Sequence, residues 1–207
     1  MVKLSANGLY KTIGEKIICS NFSITINPND FIVITGKSGS GKTSLLNILG
    51  LLDTPDKGSI AYNNTVLKKK KDIQFARRNI IGYIFQNNLL IDEKTVKENF
   101  SFILSKNNSI ESYVKALKRV GLSEIFLDQK VFSLSAGQQQ KVALARTLLK
   151  NNEIIFADEP TGNLDDENAL LIIKVLKEWS LEKDNSVVLV THNKDFIEFA
   201  TKHIQLA

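Results

Sequence analysis

One glycine-rich stretch constrains the fold of this chain more than any other, the run Gly36-Lys-Ser-Gly-Ser-Gly-Lys-Thr43. It lies between the apolar run 31–35 and the helix-like segment 44–52. This order of strand, loop and helix is the context in which G-x-x-x-x-G-K-S/T predicts a phosphate-binding loop. The glycines let the main chain curl until successive N–H groups can point at one polyphosphate. The predicted phosphate ligands are Gly36, Lys37, Ser38, Gly39, Ser40, Gly41, Lys42 and Thr43.

Two side chains of this loop have specific expected tasks. Lys42 would place a positive charge at the β- and γ-phosphates, and the hydroxyl of Thr43 would bind Mg²⁺. The N-terminus of the following helix would add its partial positive charge. The loop therefore predicts a bound nucleoside triphosphate with Mg²⁺, and the rest of the chain has to indicate the reaction.

A second apolar run, 154–157, ends in two carboxylates, Asp158 and Glu159. Two acidic groups at the end of a buried strand are costly unless a metal or a partner compensates them. We expect Asp158 to bind Mg²⁺ and Glu159 to polarise an attacking water. The alternative is that both residues only cap a helix.

A third motif, Leu134-Ser-Ala-Gly-Gln-Gln-Gln140, precedes a helical segment. Ser135 and Gly137 at a helix N-terminus would form a second anion site, for which a nucleotide bound by a second subunit is the obvious ligand. Taken alone, the motif is also typical of an ordinary helix N-cap at Ser135. Tyr10, upstream of the phosphate loop, has two possible tasks, stacking on a base or packing in the core.

Taken together and in this order, with Gln86, Asn163-Leu-Asp165 and His192, these motifs resemble the ATPase subunits of ATP-binding cassette (ABC) transporters over essentially the whole chain. The run from Ala157 to Asp165 is more narrowly similar to the branch with lipoprotein-releasing, macrolide- or peptide-export, bacteriocin-export and cell-division ABC ATPases. The resemblance implies that Tyr10 stacks on adenine, and that Gln86 contacts Mg²⁺ and reports the nucleotide state to a membrane partner.

The same resemblance assigns the remaining site residues. It implies that Glu159 is the catalytic base and that His192 binds the γ-phosphate. Asp165 would lie at a dimer seam. The residues that would close over the ATP of the opposite subunit are Ser135, Ala136, Gly137 and Gln138.

Three positions depart from the family pattern. Ala136 stands where the family signature, usually Leu-Ser-Gly-Gly-Gln, has its first glycine. Lys141 stands where arginine is common, and Phe132 stands where proline often precedes the signature. A Cβ at position 136 is tolerable if φ is negative, so we expect weaker or slower closure rather than an inactive site.

The alternation of strand and helix signals predicts an α/β fold with a mostly parallel sheet. We expect one domain over 1–207, built as a P-loop NTPase core with an N-terminal antiparallel β subdomain and a helical subdomain inserted at about 87–150. The predicted helices are 44–52, 168–180 and a last one near 195–200. The predicted strands after the phosphate loop are 59–67, 80–85, 154–157, 187–190 and 204–206.

Composition bounds the class of protein. With 43% hydrophobic and 24% charged residues, the chain is expected to be globular rather than disordered. It contains no run of about 18 to 20 apolar residues and no apolar signal-peptide region, so we expect no membrane span and a cytoplasmic location. Its single cysteine, Cys19, excludes an internal disulfide and is expected in the core.

The formal net charge of +5 fits nucleic acid, an anionic membrane surface, or solubility alone. The densest basic run, Lys68 to Lys71, has no interleaved aromatic residues, which favours a solvated loop over a contact with lipid headgroups or a partner. ABC ATPases that act on nucleic acid need long coiled coils or a second cassette, and the sequence has neither, so we expect no nucleic acid.

These observations combine into one functional expectation. The chain would hydrolyse ATP as a homodimer beneath an integral membrane permease, at the inner face of the membrane. The permease would dock near Gln86 and the helical insert 87–132. The branch suggests export or extraction of a peptide, bacteriocin or lipoprotein. The alternative is a regulatory module that transmits force to a membrane partner without moving a solute.

Overall fold

A computed structural model describes residues 3–103 and 109–206 of the chain. The strands are β1 Leu4–Ile13, β2 Lys16–Ile26, β3 Phe31–Gly36, β4 Lys57–Tyr62, β5 Thr65–Val66, β6 Ile81–Ile84, β7 Ile154–Asp158, β8 Ser186–Val190 and β9 Lys202–Leu206. The α-helices are α1 Lys42–Leu49, α2 Lys70–Asn79, α3 Val96–Ser101, α4 Ile110–Arg119, α5 Ala136–Leu149 and α6 Asp166–Ser180.

The central sheet has five strands in the order β6-β7-β8-β3-β9. Every pairing in it is parallel. The register places Asp158 beside Val190, and Val190 beside Ile34. Because the carboxyl ends of parallel strands share one edge, the segments after β3, β7 and β8 emerge side by side.

Both faces of β3, β7 and β8 are buried, which explains why these strands are nearly continuous apolar runs. Alternate residues point to opposite faces. Ile155 and Leu189 face one core with the helices α4, α5 and α6. Phe156 and Val188 face a second core with α1 and the N-terminal strands. The two cores therefore hold the strands of the site between two packed layers.

The second sheet is antiparallel, in the order β2-β1-β4-β5. Leu4, Leu9 and Ile26 point from it into the second core. Cys19, the single cysteine, is buried in the same core, as predicted. This sheet packs over α1, so its first hairpin reaches the loop between β3 and α1.

The segment between β6 and β7 is mostly helical. Thr95 begins α3 and Ser109 begins α4, and each forms a capping box with the residue three positions later. Phe100 and Tyr113, from α3 and α4, meet edge to face with ring centres 5.4 Å apart. The fold class expected from the sequence is confirmed, with its parallel core, antiparallel sheet and inserted helices. The part of the predicted insert at 104–108 lies outside the described residues.

Four predicted elements need correction, and the first is the helix predicted at 44–52. It ends at Leu49, because Gly50 closes it and Leu51 adopts a left-handed φ of 62°. A Cβ at Gly50 would lie 2.7 Å from the ring of Tyr83, so the close approach of β6 requires glycine here.

The second correction concerns the basic run at Lys68 to Lys71, which was predicted to be a loop. Lys70 and Lys71 form the first turn of α2. The helix forms because Ile73 and Ala76, three residues apart, pack against the second core.

The other two corrections concern a strand and the last helix. The predicted strand 59–67 is a hairpin of β4 and β5, because Asn63 and Asn64 have φ of 45° and 66° and form a two-residue turn. The predicted last helix near 195–200 is a 3₁₀ segment, Lys194–Phe199. Within the described residues, no helix is both long enough and apolar enough to cross a membrane.

Candidate nucleotide-binding and catalytic site

The loop 36–43 joins the carboxyl end of β3 to the start of α1, in the arrangement that its sequence predicted. Gly39 and Gly41 have φ of 77° and 93°, a region that residues with a Cβ rarely adopt. A Cβ at Gly36 would lie 2.6 Å from Oγ of Ser40. The glycines are therefore required by the conformation and by the close packing of the loop.

Lys42 and Ser40 provide the polar groups inside this loop. Nζ of Lys42 donates to the carbonyl oxygens of Gly36 and Lys37 at 2.9 and 3.0 Å, so its ammonium lies inside the curl. Oγ of Ser40 is buried and has no hydrogen-bond partner among the described residues. A buried hydroxyl without a partner is costly, and a phosphate oxygen would satisfy it. The loop therefore fits a polyphosphate.

Thr43 and Asp158 bring the phosphate loop and the end of β7 together. Oγ1 of Thr43 donates to Oδ1 of Asp158 at 3.1 Å. Burial raises the pKa of Asp158, and the charge of Glu159 adds to that rise, whereas the hydrogen bond from Thr43 and the charge of Lys42 oppose it. A carboxylate in this environment is stabilised by a nearby cation.

The donor set fits Mg²⁺ rather than a cage made by the protein alone. Thr43 and Asp158 supply two oxygens, which is the small number of protein ligands that Mg²⁺ uses beside substrate phosphates. The described residues contain no cluster of three or more His, Cys, Asp or Glu side chains that could hold a metal. Gln86, the third predicted ligand, follows β6 with an exposed side chain.

Glu159 and His192 lie next to each other at the ends of β7 and β8. Oε2 of Glu159 is 3.0 Å from Nδ1 of His192. The side chain of Glu159 is 14% exposed, whereas that of His192 is 75% exposed. The main-chain N–H of Glu159 donates to the carbonyl of Val190 at 3.0 Å. The structure thus brings together the predicted catalytic base and the residue predicted to bind the γ-phosphate.

The segment 135–138, called the signature turn below, comprises the N-cap Ser135 and the first three residues of α5. Oγ of Ser135 accepts from the N–H of Gln138 at 3.2 Å, and Oε1 of Gln138 accepts from the N–H of Ser135 at 2.9 Å. Ser135 is therefore the N-cap of α5, which was one of the two roles predicted for it. Ala136 has no positive φ, so its Cβ is tolerated. A Cβ at Gly137 would lie 3.0 Å from Leu164.

Asp165 lies near this turn, at the N-terminus of α6. Its carboxylate accepts from the N–H of Asn168 at 2.8 Å, and this hydrogen bond lowers the pKa of Asp165. Nζ of Lys141 donates to Oδ1 of Asn168 at 2.5 Å. A cavity of about 610 Å³ lies between these groups. Among its lining residues are Ser135, Ala136, Gly137, Gln138, Lys141 and Asp165.

The phosphate loop faces a different cavity, of about 310 Å³. It is lined by Ile13, Lys16, Ile18, Gly39, Gly41, Lys42, Thr43 and Ser44. It shares none of the residues that line the cavity at the signature turn. The chain therefore carries two candidate anion sites that are lined by different residues.

Tyr10 lies on β1, opposite Lys57 on β4, whose Nζ is 5.7 Å from the centre of the ring. Its side chain is half-buried. The residues of the first hairpin that line the phosphate-loop cavity are Ile13, Lys16 and Ile18. Lys16 donates to the carbonyl of Gly39. Stacking of Tyr10 on adenine stays a prediction.

Two residues of α5 were not predicted from the sequence. Gln140 bonds to the main chain of Glu159 and Asn163. Arg146 donates to the carbonyls of Asn88 and Leu89, at 2.9 and 2.7 Å, just after Gln86. Polar residues on a helix that is otherwise apolar were the available signal, but their partners lie in distant parts of the chain.

Comparison with known proteins identifies related chains. The ABC transporter family model matches residues 19–162. The lipoprotein-releasing system ATP-binding protein LolD of Ehrlichia canis is 38% identical, over 93% of this chain and 88% of LolD. The macrolide export ATP-binding/permease protein MacB of Campylobacter jejuni is 39% identical, over 95% of this chain and 31% of MacB.

A bacterial ABC transporter cassette has a similar solved structure. Its dimeric form has a TM-score of 0.89 and 34% identity, and the match covers 98% of this chain and 94% of the cassette. The same cassette in a post-hydrolysis dimer bound to ADP and Pi has a TM-score of 0.88, with the same identity and coverage. The likeness therefore extends over nearly the whole of both chains.

Proposed function

The chain belongs to the ABC transporter family and is an ATPase of that family, and from this we propose that two copies bind two ATP molecules between them and drive a separate membrane permease. Each ATP would lie between the phosphate loop of one copy and the signature turn of the other. The location that follows is the inner face of the membrane, beside the permease.

The observation that carries this proposal is the separation of the two anion sites. The cavities at the phosphate loop and at the signature turn have no lining residue in common. A single nucleotide held by the phosphate loop has no use for the second site within the same chain. The dimer of the similar cassette supports an arrangement in which a second copy supplies it.

We propose the following roles in hydrolysis, which the geometry of the site supports. Lys42 and the N–H groups of 36–43 would hold the phosphates, and bound Mg²⁺, held by Thr43, Asp158 and Gln86, would neutralise their charge. Glu159 would take a proton from the attacking water as the water oxygen bonds to the γ-phosphorus. The bond between the γ-phosphorus and the oxygen that bridges to the β-phosphate would break in the same step. His192, 3.0 Å from Glu159, would contact the γ-phosphate.

A groove between α2, α3 and α5 supports the docking of a permease. Its volume is about 860 Å³. Phe75 and Phe102 are 60% and 58% exposed at its walls. Five of the described lining residues are basic and none is acidic: Lys71, Arg77, Arg78, Arg146 and Lys150. We infer that an acidic amphipathic segment of the membrane partner binds here, because the two surfaces would be complementary in charge.

The relatives support a narrower proposal about the cargo. LolD is named for lipoprotein release and MacB for macrolide export. One name states release and the other states export. We propose that this chain energises export or extraction of a peptide, bacteriocin or lipoprotein.

Charge reversal in the groove tests the docking proposal. The double variant Lys71→Glu, Arg78→Glu should lower copurification of a membrane protein with the tagged chain several-fold, because like charges would then face each other. ATP binding by the isolated variant should be unchanged. The measurement is the amount of partner recovered from detergent-solubilised membranes, followed by identification of that partner.

The matched control is Lys174→Glu, Lys183→Glu, which makes the same charge change on exposed residues of α6 and the loop after it, outside both the groove and the helical insert 87–132. It should recover as much partner as the wild type. Equal recovery with both double variants would contradict docking at the groove. Recovery of a soluble protein in place of a membrane protein would contradict the transporter proposal itself.

A further inference from the structure

Gln140 connects two segments that are distant in sequence. It lies in α5, and its side chain is 1% exposed. Nε2 donates to the carbonyl oxygen of Glu159 at 3.2 Å, and Oε1 accepts from the N–H of Asn163 at 3.3 Å. One amide thus binds the main chain at both ends of the turn 159–163.

The turn that Gln140 holds has an uncommon conformation at its first residue. Glu159 has a φ of 46°, in the left-handed region, which is sparsely populated by residues with a Cβ. Such a conformation persists only when surrounding contacts enforce it. The carbonyl of Glu159 accepts from Gly162 N–H at 3.2 Å as well as from Gln140. The direction of the Glu159 side chain therefore depends on these main-chain contacts.

The helix that carries Gln140 begins at the signature turn. Ser135 precedes Gln140 by five residues, which corresponds to about 7.5 Å along a helix axis. Val142, Leu144 and Ala145, in the next turn and a half, are buried in the first core. A packed helix moves as a unit, so a shift of the signature turn would also shift the Gln140 amide and the segment that it holds.

We propose that Gln140 is a positioning residue that sets the orientation of the Glu159 side chain. Through Gln140, that orientation depends on the position of α5. This inference rests on the proposed role of Glu159 as catalytic base. Gln140 acts through the main chain of Glu159, and the ATP that closes the signature turn of one copy would thereby align the base of that same copy. Misplacement of a reacting group by about 1 Å lowers a rate about 10²-fold.

A double-mutant cycle tests the proposal in the full chain with MgATP. Gln140→Met keeps the side-chain length and removes both hydrogen bonds. It should lower the single-turnover hydrolysis rate about 10- to 100-fold and change KM for ATP less than about twofold, since the phosphate loop is untouched. In the background of Glu159→Gln, where no base is left to orient, Gln140→Met should change the residual rate less than about twofold.

Two further variants separate positioning from a loss of stability. Gln140→Glu keeps an acceptor for Asn163 and loses the donor to Glu159, so it should give the same cycle if Gln140→Met folds poorly. Asn185→Leu is the matched control. It removes another buried amide, which donates to the carbonyl of Trp179 at 3.2 Å. This amide lies near the amino ends of the parallel strands, away from the catalytic site. The Asn185→Leu variant should keep the wild-type rate.

Three results would overturn the inference alone. These are a wild-type rate in Gln140→Met, a rise in KM that accounts for the loss, and an equal loss in the Glu159→Gln background. A wild-type rate in Glu159→Gln alone would show that Glu159 is not the catalytic base, and it would overturn the inference as well. Equal losses in both backgrounds would overturn the inference but would not affect the proposed role of Glu159 as catalytic base.

Discussion

Glu159→Gln is expected to lower ATP hydrolysis by about 10² to 10⁴-fold, the range typical for loss of a general base. The amide cannot accept a proton from water, whereas its size and its place beside His192 are preserved. ATP should still bind, because Lys42 and the phosphate loop are unchanged. With hydrolysis blocked, the γ-phosphate would persist between the two copies and the ATP-bound dimer should accumulate.

Two measurements check this result, the single-turnover release of phosphate and the molar mass by light scattering with and without MgATP. Glu178→Gln makes the same chemical change on an exposed face of α6 and should match the wild type in both. A variant of Glu159 that hydrolyses ATP at the wild-type rate would exclude this residue as the base. One that stays monomeric with saturating ATP would contradict the proposed dimer.

Ser135→Asp is expected to abolish ATP-driven association and to lower hydrolysis by at least about 100-fold. Aspartate is as good an N-cap as serine, so α5 should still begin at the same residue. Its negative charge would face the triphosphate held by the other copy, and like charges placed together across an interface cost several kcal/mol. Binding of ATP to the phosphate loop of the same chain should not change.

Ser135→Asn is the matched control, because asparagine caps the helix equally well and adds no charge. The two variants should therefore have the same free energy of unfolding and differ in ATP-driven association. Association is measured by light scattering, and ATP affinity by titration under conditions in which the chain is monomeric. Equal behaviour of the two variants would mean that position 135 does not face an anion.

The three consecutive glutamines 138–140 illustrate what the sequence could not predict. Gln138 completes the capping box with Ser135. Gln139 donates to the carbonyls of Val131 and Leu134. Gln140 binds the turn after β7. Successive residues of a helix point about 100° apart, so identical side chains meet different partners, and only the packing of α5 decides which.

The candidate binding and catalytic residues were easier to predict than the residues that pack around them. Each motif links a residue type to a position along one strand, loop or helix. Asp158, Glu159 and His192 were expected at the ends of strands and Thr43 in the loop that follows one, and the parallel sheet brings those strand ends to one edge. The order of the strands, with β3 between β8 and β9, could not be predicted from the alternation of strands and helices.

The helix α2 was missed for a different reason. Charged and polar residues dominate it, and the apolar signal is limited to Ile73, Phe75 and Ala76. Lys70 and Lys71 form its first turn, so the basic run that favoured a loop belongs partly to a helix that borders the groove. Tertiary packing under Ala76, rather than helix propensity, explains why the helix forms there.

In the proposed dimer, one chain holds two half-sites, each of which becomes active only against a second copy. The most direct test is the turnover per chain of the wild type, measured at saturating MgATP over a wide range of protein concentrations. We expect turnover per chain to rise with concentration and then to level off, and we expect Ser135→Asp to remove the rise. A turnover per chain that stays constant down to the most dilute sample, and that Ser135→Asp leaves unchanged, would contradict the proposed dimer.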